Sequence, residues 1–214
     1  MRKSLEITAV LIASAGLMGS VTGAFAAGPD IMQEWATVKA PPPPQIKPVT
    51  IDPKTTALLS LDFNSKGCTP QARPRCAGII PNAEKLLQQA RAKGMLVIHT
   101  ATSSMKDDEF VKELAPAPGE KILRGKGDKF VGSDMDKILK EKGITTVLVM
   151  GTAGHQAVLY TVLGAVLRDY KAIVPIDTMP SDEPYMEQFT IWEIANGSQL
   201  KDGATLTRSD MIKF

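Results

Sequence analysis

The chain has 214 residues, of which 43% are hydrophobic and 22% charged, and a formal net charge of +2. So even a balance offers no footing for nucleic acid, and the length suits one domain with a sizeable core while being tight for two. Two cysteines are too few for a structural zinc site, and neither a metal nor a cofactor is expected.

Arg2 and Lys3 precede an apolar stretch from Ile7 to Met18 that ends in Ala24-Phe25-Ala26, the pattern of a secretory signal peptide with an A-x-A cleavage site. A membrane anchor is the competing reading. Ser14, Gly16, Gly19 and Ser20 interrupt the stretch, however, and it is short of the roughly 20 residues a spanning helix needs. The expectation is a periplasmic or secreted protein that loses residues 1–26, and with them Arg2, Lys3 and Glu6, so that the formal charge falls by one. No membrane association is expected after cleavage. Ala40 to Pro48 reads A-P-P-P-P-Q-I-K-P, which favours polyproline geometry and cannot sit inside a helix or a central strand. Residues 27–50 are therefore expected to be a proline-rich arm, and 51–214 a single domain.

From Thr55 the chain alternates strand-like and helix-like blocks. Thr55 to Phe63 is a mostly apolar run suited to a strand covered on both faces. Ala83, Leu86, Leu87 and Ala90 follow helical spacing, and Gly94 stops that helix before a strand from Met95 to Thr100. Ser133 caps a helix bearing Met135, Ile138 and Leu139, which Gly143 ends ahead of a buried strand from Thr145 to Met150. A helix over Gln156–Tyr170, a strand over Lys171–Ile176 and an amphipathic helix over Glu183–Ala195 with Tyr185, Phe189 and Trp192 complete the series. Connections too long for hairpins predict an α/β fold, a parallel sheet with helices on both faces in three Rossmann-like layers. Ligands in such sheets bind beyond the carboxyl ends of the strands. Asp62 to Asn64, Thr100 to Ser104, Gly151 to His155 and Asp177 to Met179 are the segments placed there.

Two of these stretches, Leu58-Leu59-Ser60-Leu61-Asp62-Phe63-Asn64 and the run Val147 to Thr161 (V-L-V-M-G-T-A-G-H-Q-A-V-L-Y-T), resemble those of the isochorismatase-like cysteine hydrolases, the superfamily of nicotinamidases, N-carbamoyl amidases and isochorismatase. Asp128 to Asp134 (D-K-F-V-G-S-D) resembles the segment downstream of that family's catalytic lysine. The resemblance implies a catalytic aspartate at Asp62, with Phe63, Asn64, Phe130, His155 and Ala157 around the ligand. It also implies a nucleophilic cysteine where this chain has Ala157, and a methyl group cannot attack a carbonyl. The mechanism needs a thiolate near a helix N-terminus and a carboxylate to take its proton. The family's lysine stands six residues before the phenylalanine matched by Phe130, which is Arg124 here; Lys126 lies two residues nearer. Arginine holds an anion in bidentate fashion but does not shuttle a proton as lysine does. The resemblance leaves the basic role between Arg124 and Lys126.

Other readings compete at several positions. Asp62 is a general base paired with that cation, or a carboxylate capping the following loop. His155 contacts ligand or is a polar turn residue, and His99 inside its strand reads as a satisfied core histidine. Cys68 and Cys76, the two cysteines, flank a short loop and are expected to form a disulfide in an oxidising compartment. The alternative is that one of them replaces the missing nucleophile. Arg73 and Arg75 beside them read as solvated loop charges, or as groups facing an anionic ligand. Gly125-Lys126-Gly127 lacks the phosphate-loop pattern. Gly164 and Ala165 give their helix a small-residue face for close packing.

Together these features predict an exported hydrolase-like protein with a site for a small polar ligand and no catalytic thiol, as a homo-oligomer. The rival readings are an active hydrolase using water activated by Asp62, and a non-catalytic structural or partner-binding protein whose pocket is filled by side chains.

Overall fold

The computed structural model describes residues 28–214; the leader expected over residues 1–26 lies outside them. Two units are distinguished, residues up to Pro41 and the domain Pro42–Phe214. The first holds α1 (Ile31–Glu34), closed by a capping box in which Asp30 accepts from the N–H groups of Met32 and Gln33, and a 3-10 turn over Trp35–Thr37. Within the domain, β1 (Val49–Thr50) pairs in parallel with β8 (Ile212–Lys213), and Lys47 N–H donates to the Leu206 carbonyl. The last residues of the expected arm are thus built into the domain.

The main sheet is β4-β3-β2-β5-β6-β7 in order, every neighbour parallel, from β2 (Thr56–Leu61), β3 (Leu96–Ala101), β4 (Lys121–Arg124), β5 (Thr146–Gly151), β6 (Lys171–Pro175) and β7 (Ala204–Thr207). The parallel sheet with helices on both faces is as the alternating pattern predicts. Its outer strands β4 and β7 were not expected. β4 is mostly uncovered and neither carries an apolar run, so nothing in their composition separates them from loop.

Alternation along β2 divides the core. Ala57, Leu59 and Leu61 face one layer with Val147 and Val149, against Met135, Leu139, Val158 and Val162 of the helical side. Leu58 faces the other with Leu148 and Met150, against Ala83, Leu86, Leu87 and Ala90 of α2 (Pro74–Ala92). Both faces being buried explains why these strands read as continuous apolar runs. The first layer is formed by α3 (Met135–Glu141), α4 (Leu159–Val166) and, through Ile194, α5 (Pro184–Asn196). The N-cap of α3 is Asp134 and not the expected Ser133, whose hydroxyl oxygen, one residue earlier, accepts from Met135 N–H at 3.2 Å. The helix expected over Gln156–Tyr170 begins instead as a π-turn over Gly154–Val158 and has ended by Leu167.

Strand order reverses between β2 and β5, because β3 and β4 extend the sheet one way and β6 and β7 the other. A crevice beyond the carboxyl ends of β2 and β5 is where such a sheet places a ligand.

Candidate functional site

A cavity of about 880 Å3 opens at that switch point. Asp62 follows directly on β2 and Thr152 on β5, so the two stand side by side, with Thr152 N–H donating to the Leu61 carbonyl at 3.0 Å. Asp62 has φ 54°, a left-handed conformation that aspartate tolerates better than branched residues and that turns the chain sharply out of the strand.

The Asp62 carboxylate is held on both oxygens. Oδ1 accepts from the Thr100 hydroxyl at 2.7 Å, and Oδ2 lies 2.5 Å from Lys129 Nζ. Both partners are buried, Lys129 at 2% and Asp62 at 9% exposure. The cation at Asp62 is therefore Lys129, and the expectation of Arg124 or Lys126 is corrected. Arg124 instead pairs with Asp107 (Nη2 to Oδ1, 2.5 Å), because it ends β4, one strand further out than β3. Arg124 and Lys126 do line the cavity, and Lys126 has no acidic partner within 4 Å among the described residues.

Lys129 is aimed by the turn around it. Its N–H donates to Thr161 Oγ1 at 3.2 Å, its carbonyl accepts from the Ser133 hydroxyl, and Asp128 Oδ1 accepts Phe130 N–H. Gly164 admits this turn: a Cβ there would sit 2.5 Å from the Asp128 carboxylate oxygens, which gives the small-residue face of α4 its physical reason.

Ala157 lies in the π-turn at the start of the helical segment after β5, 5% exposed and lining the cavity. The Thr152–Ala153 peptide before it is cis. Asn64 and His155 also line the cavity, and so do Thr102 and Ser103 beyond β3. Phe63 and Phe130 do not. Phe63 is buried in the α2 layer, and Phe130 stacks on Tyr170 (centroids 5.9 Å apart) beneath the Arg168 guanidinium, so both are packing residues. Asp177 accepts from Ser209 N–H and Oγ–H and likewise does not line the cavity.

The rim carries the expected disulfide, together with ion pairs that sequence reasoning missed. Cys68 and Cys76 are joined by a disulfide, with Cα atoms 5.0 Å apart, and no free cysteine is present among the described residues. Arg73, within that loop, lines the cavity and binds Asp182 (Nε to Oδ1, 2.5 Å), while Arg75 binds Glu187. These arginines fasten the disulfide loop to the segment that opens α5. Nothing in a single sequence pairs residues so far apart. Lys129, by contrast, was in view beside Phe130; spacing to that ring pointed elsewhere.

His99 is away from the cavity. It is fully buried, its Nε2 is 2.8 Å from Glu120 Oε2, and Glu120 also takes two hydrogen bonds from Arg91 and one from Ala117 N–H. Burial alone pushes the Glu120 carboxyl up, but the bonds from Arg91, Ala117 and His99 outweigh it and hold the group at about 2. Burial lowers His99, and its bond to Glu120 only partly offsets this.

Comparison with known proteins agrees with this architecture. The isochorismatase domain model matches residues 56–210. An N-carbamoylsarcosine amidase from an Arthrobacter species is 24% identical over 171 residues, covering 65% of this chain and 65% of its own length. The chain thus spans just under two thirds of that relative. A ureidoacrylate amidohydrolase, RutB, from Caulobacter segnis is 24% identical over 193 residues, 68% of this chain and 81% of that protein. Among solved structures, an isochorismatase family protein from Desulfovibrio vulgaris superposes with a TM-score of 0.66 at 24% identity, covering 73% of this chain and 95% of its own. An isochorismatase from Pseudomonas putida KT2440 does so with a TM-score of 0.66 at 18% identity, over 86% of this chain and all of its own. With the matched residues running from the start of β2 to the turn before β8, and the cavity at the switch point between them, this chain belongs to the isochorismatase family.

Proposed function

We propose that this chain is an exported, non-thiol hydrolase of the isochorismatase family, acting on a small polar ligand with an amide or related bond. The observation that carries the reading is the buried Asp62–Lys129 pair on the wall of an open cavity that also presents Ala157, where the family resemblance places a cysteine. Water then takes the thiol's part. One Asp62 oxygen accepts a proton from a water molecule as its oxygen bonds to the carbonyl carbon; the carbon–nitrogen bond breaks, and the proton passes from Asp62 to the leaving nitrogen. Lys129 and Thr100 hold the carboxylate in place during both transfers. Lys129 also offsets the negative charge that develops beside it.

The relatives' names put carbamoyl and ureido amides first among substrates to try. Ammonia release from N-carbamoylsarcosine by the purified protein tests the proposal. Turnover that survives iodoacetamide and is lost in Asp62→Asn supports it; turnover lost on alkylation, or none above the buffer rate for carbamoyl and ureido amides alike, overturns it. N-terminal sequencing of the mature protein tests export, with cleavage before Ala27 expected. A partner-binding role is disfavoured, because the cavity lies within the usual size range of small-molecule sites and is not filled by side chains.

A further inference from the structure

We infer that His155 is a hydrogen-bond donor to a ligand oxygen, held in its Nε2–H form by Ser181, and that it is not the base of the site. The inference rests on reading this cavity as the ligand site. His155 lines the cavity, and its ring turns one edge inward: Nδ1 is 3.1 Å from Ser181 Oγ. The same oxygen accepts His155 N–H at 3.2 Å, so the serine bonds backbone and ring of one residue. Ser181 is completely buried. A buried hydroxyl hydrogen left without an acceptor is costly, and among the described residues the acceptor within reach is Nδ1. Ser181 O–H therefore donates to Nδ1, which places the imidazole hydrogen on Nε2. That nitrogen has no protein hydrogen-bond partner among the described residues, and the residue that carries it lines the cavity. A neutral Nε2–H donates to a carbonyl or carboxylate oxygen and has no lone pair free to take a proton, which leaves the basic role to Asp62.

Two neighbours keep the serine in place. Ser181 N–H donates to Glu187 Oε1 at 2.9 Å, and Glu187 is itself anchored by Arg75. Gly154 permits the approach, because a Cβ there would lie 2.5 Å from the Met179 carbonyl oxygen and 3.1 Å from Ser181 Oγ. Ser181 is thus a positioning residue, acting through His155.

Two-bond 1H–15N correlation spectra of the purified protein with 15N-labelled histidine test this without any turnover, His155→Gln identifying the His155 signals. The expected spectrum has a bare, hydrogen-bond-accepting Nδ1 and a protonated Nε2, and Ser181→Ala converts it to a mixture of tautomers. A protonated Nδ1 in the unmodified protein, or an Nε2–H preference unchanged by Ser181→Ala, overturns the inference. Addition of N-carbamoylsarcosine is expected to shift the His155 Nε2–H proton. If the amides of Thr152 and Gly125 move while that proton does not, the donor role is wrong. If no cavity amide moves, the ligand class proposed above has failed, and the tautomer measurement decides this inference by itself.

Discussion

Lys129 Nζ sits 2.5 Å from Asp62 Oδ2, and among the described residues neither charge has another counter-ion. An ion pair removed from water in this way is sensitive to the loss of one member, since the survivor is left uncompensated. Asp62→Ala is therefore expected to cost about 3–5 kcal/mol in urea unfolding, as is Lys129→Ala. Asp62→Ala combined with Lys129→Ala is expected to cost clearly less than the two single changes together. Strict additivity in that cycle would show that the pair is not coupled.

Restoring a thiol is a direct probe of the site. Ala157→Cys places sulfur at the start of the helical segment that follows the strand turn, where negative charge is favoured. Incubation with a carbamoyl amide is expected to yield a covalent adduct on residue 157 of the variant and none on the unmodified protein, read by mass spectrometry. An adduct on the unmodified protein would require a nucleophile elsewhere.

The Cys68–Cys76 bond closes a short loop, for which chain entropy predicts roughly 2–3 kcal/mol of stabilisation. Replacing both cysteines with serine is expected to lower the urea midpoint accordingly. Because Arg73 lies inside the loop, ligand affinity is expected to fall with it. Thiol counting on unfolded, unreduced protein is expected to find none.

Acid sensitivity is expected to begin at the Arg91–Glu120–His99 cluster. His99 is lowered on folding, so its contribution is complete above the unfolded value of 6.5 and is lost as pH falls through the folded value. Glu120 drops from 4.5 to about 2, so its contribution is complete above 4.5 and disappears between 4.5 and 2. Stability is thus expected to decline in two stages on acidification. In Glu120→Gln the lower stage should flatten, which denaturant midpoints measured from pH 7 to pH 2 will check.

How much of this was legible in sequence depended on what each residue had to do alone. Leu58 to Leu61 and Val147 to Met150 announce central strands because both faces are buried, and Asp62 stands out as the charge that ends one of them. The outer strands have no such pattern. Phe63 and Phe130 belong to matched motifs yet serve packing, which composition cannot distinguish from ligand contact. Lys129 escaped because a long side chain can enter a site from more than one backbone position, and only the turn through Asp128 and Gly164 decides which. Ser181 is separated from His155 by all of α4 and β6, and its meaning appears only where the two segments meet.

The pairing of β1 with β8 puts the domain's point of entry next to its last strand, and Thr50 and Ile51 there border the starting ends of β2, β5 and β6. The cavity opens at the opposite ends of those strands. Anything attached after β8, whether a linker, an affinity handle or a solid support, leaves from the side away from the mouth. Protein immobilised through its last strand should therefore reach its ligand unobstructed.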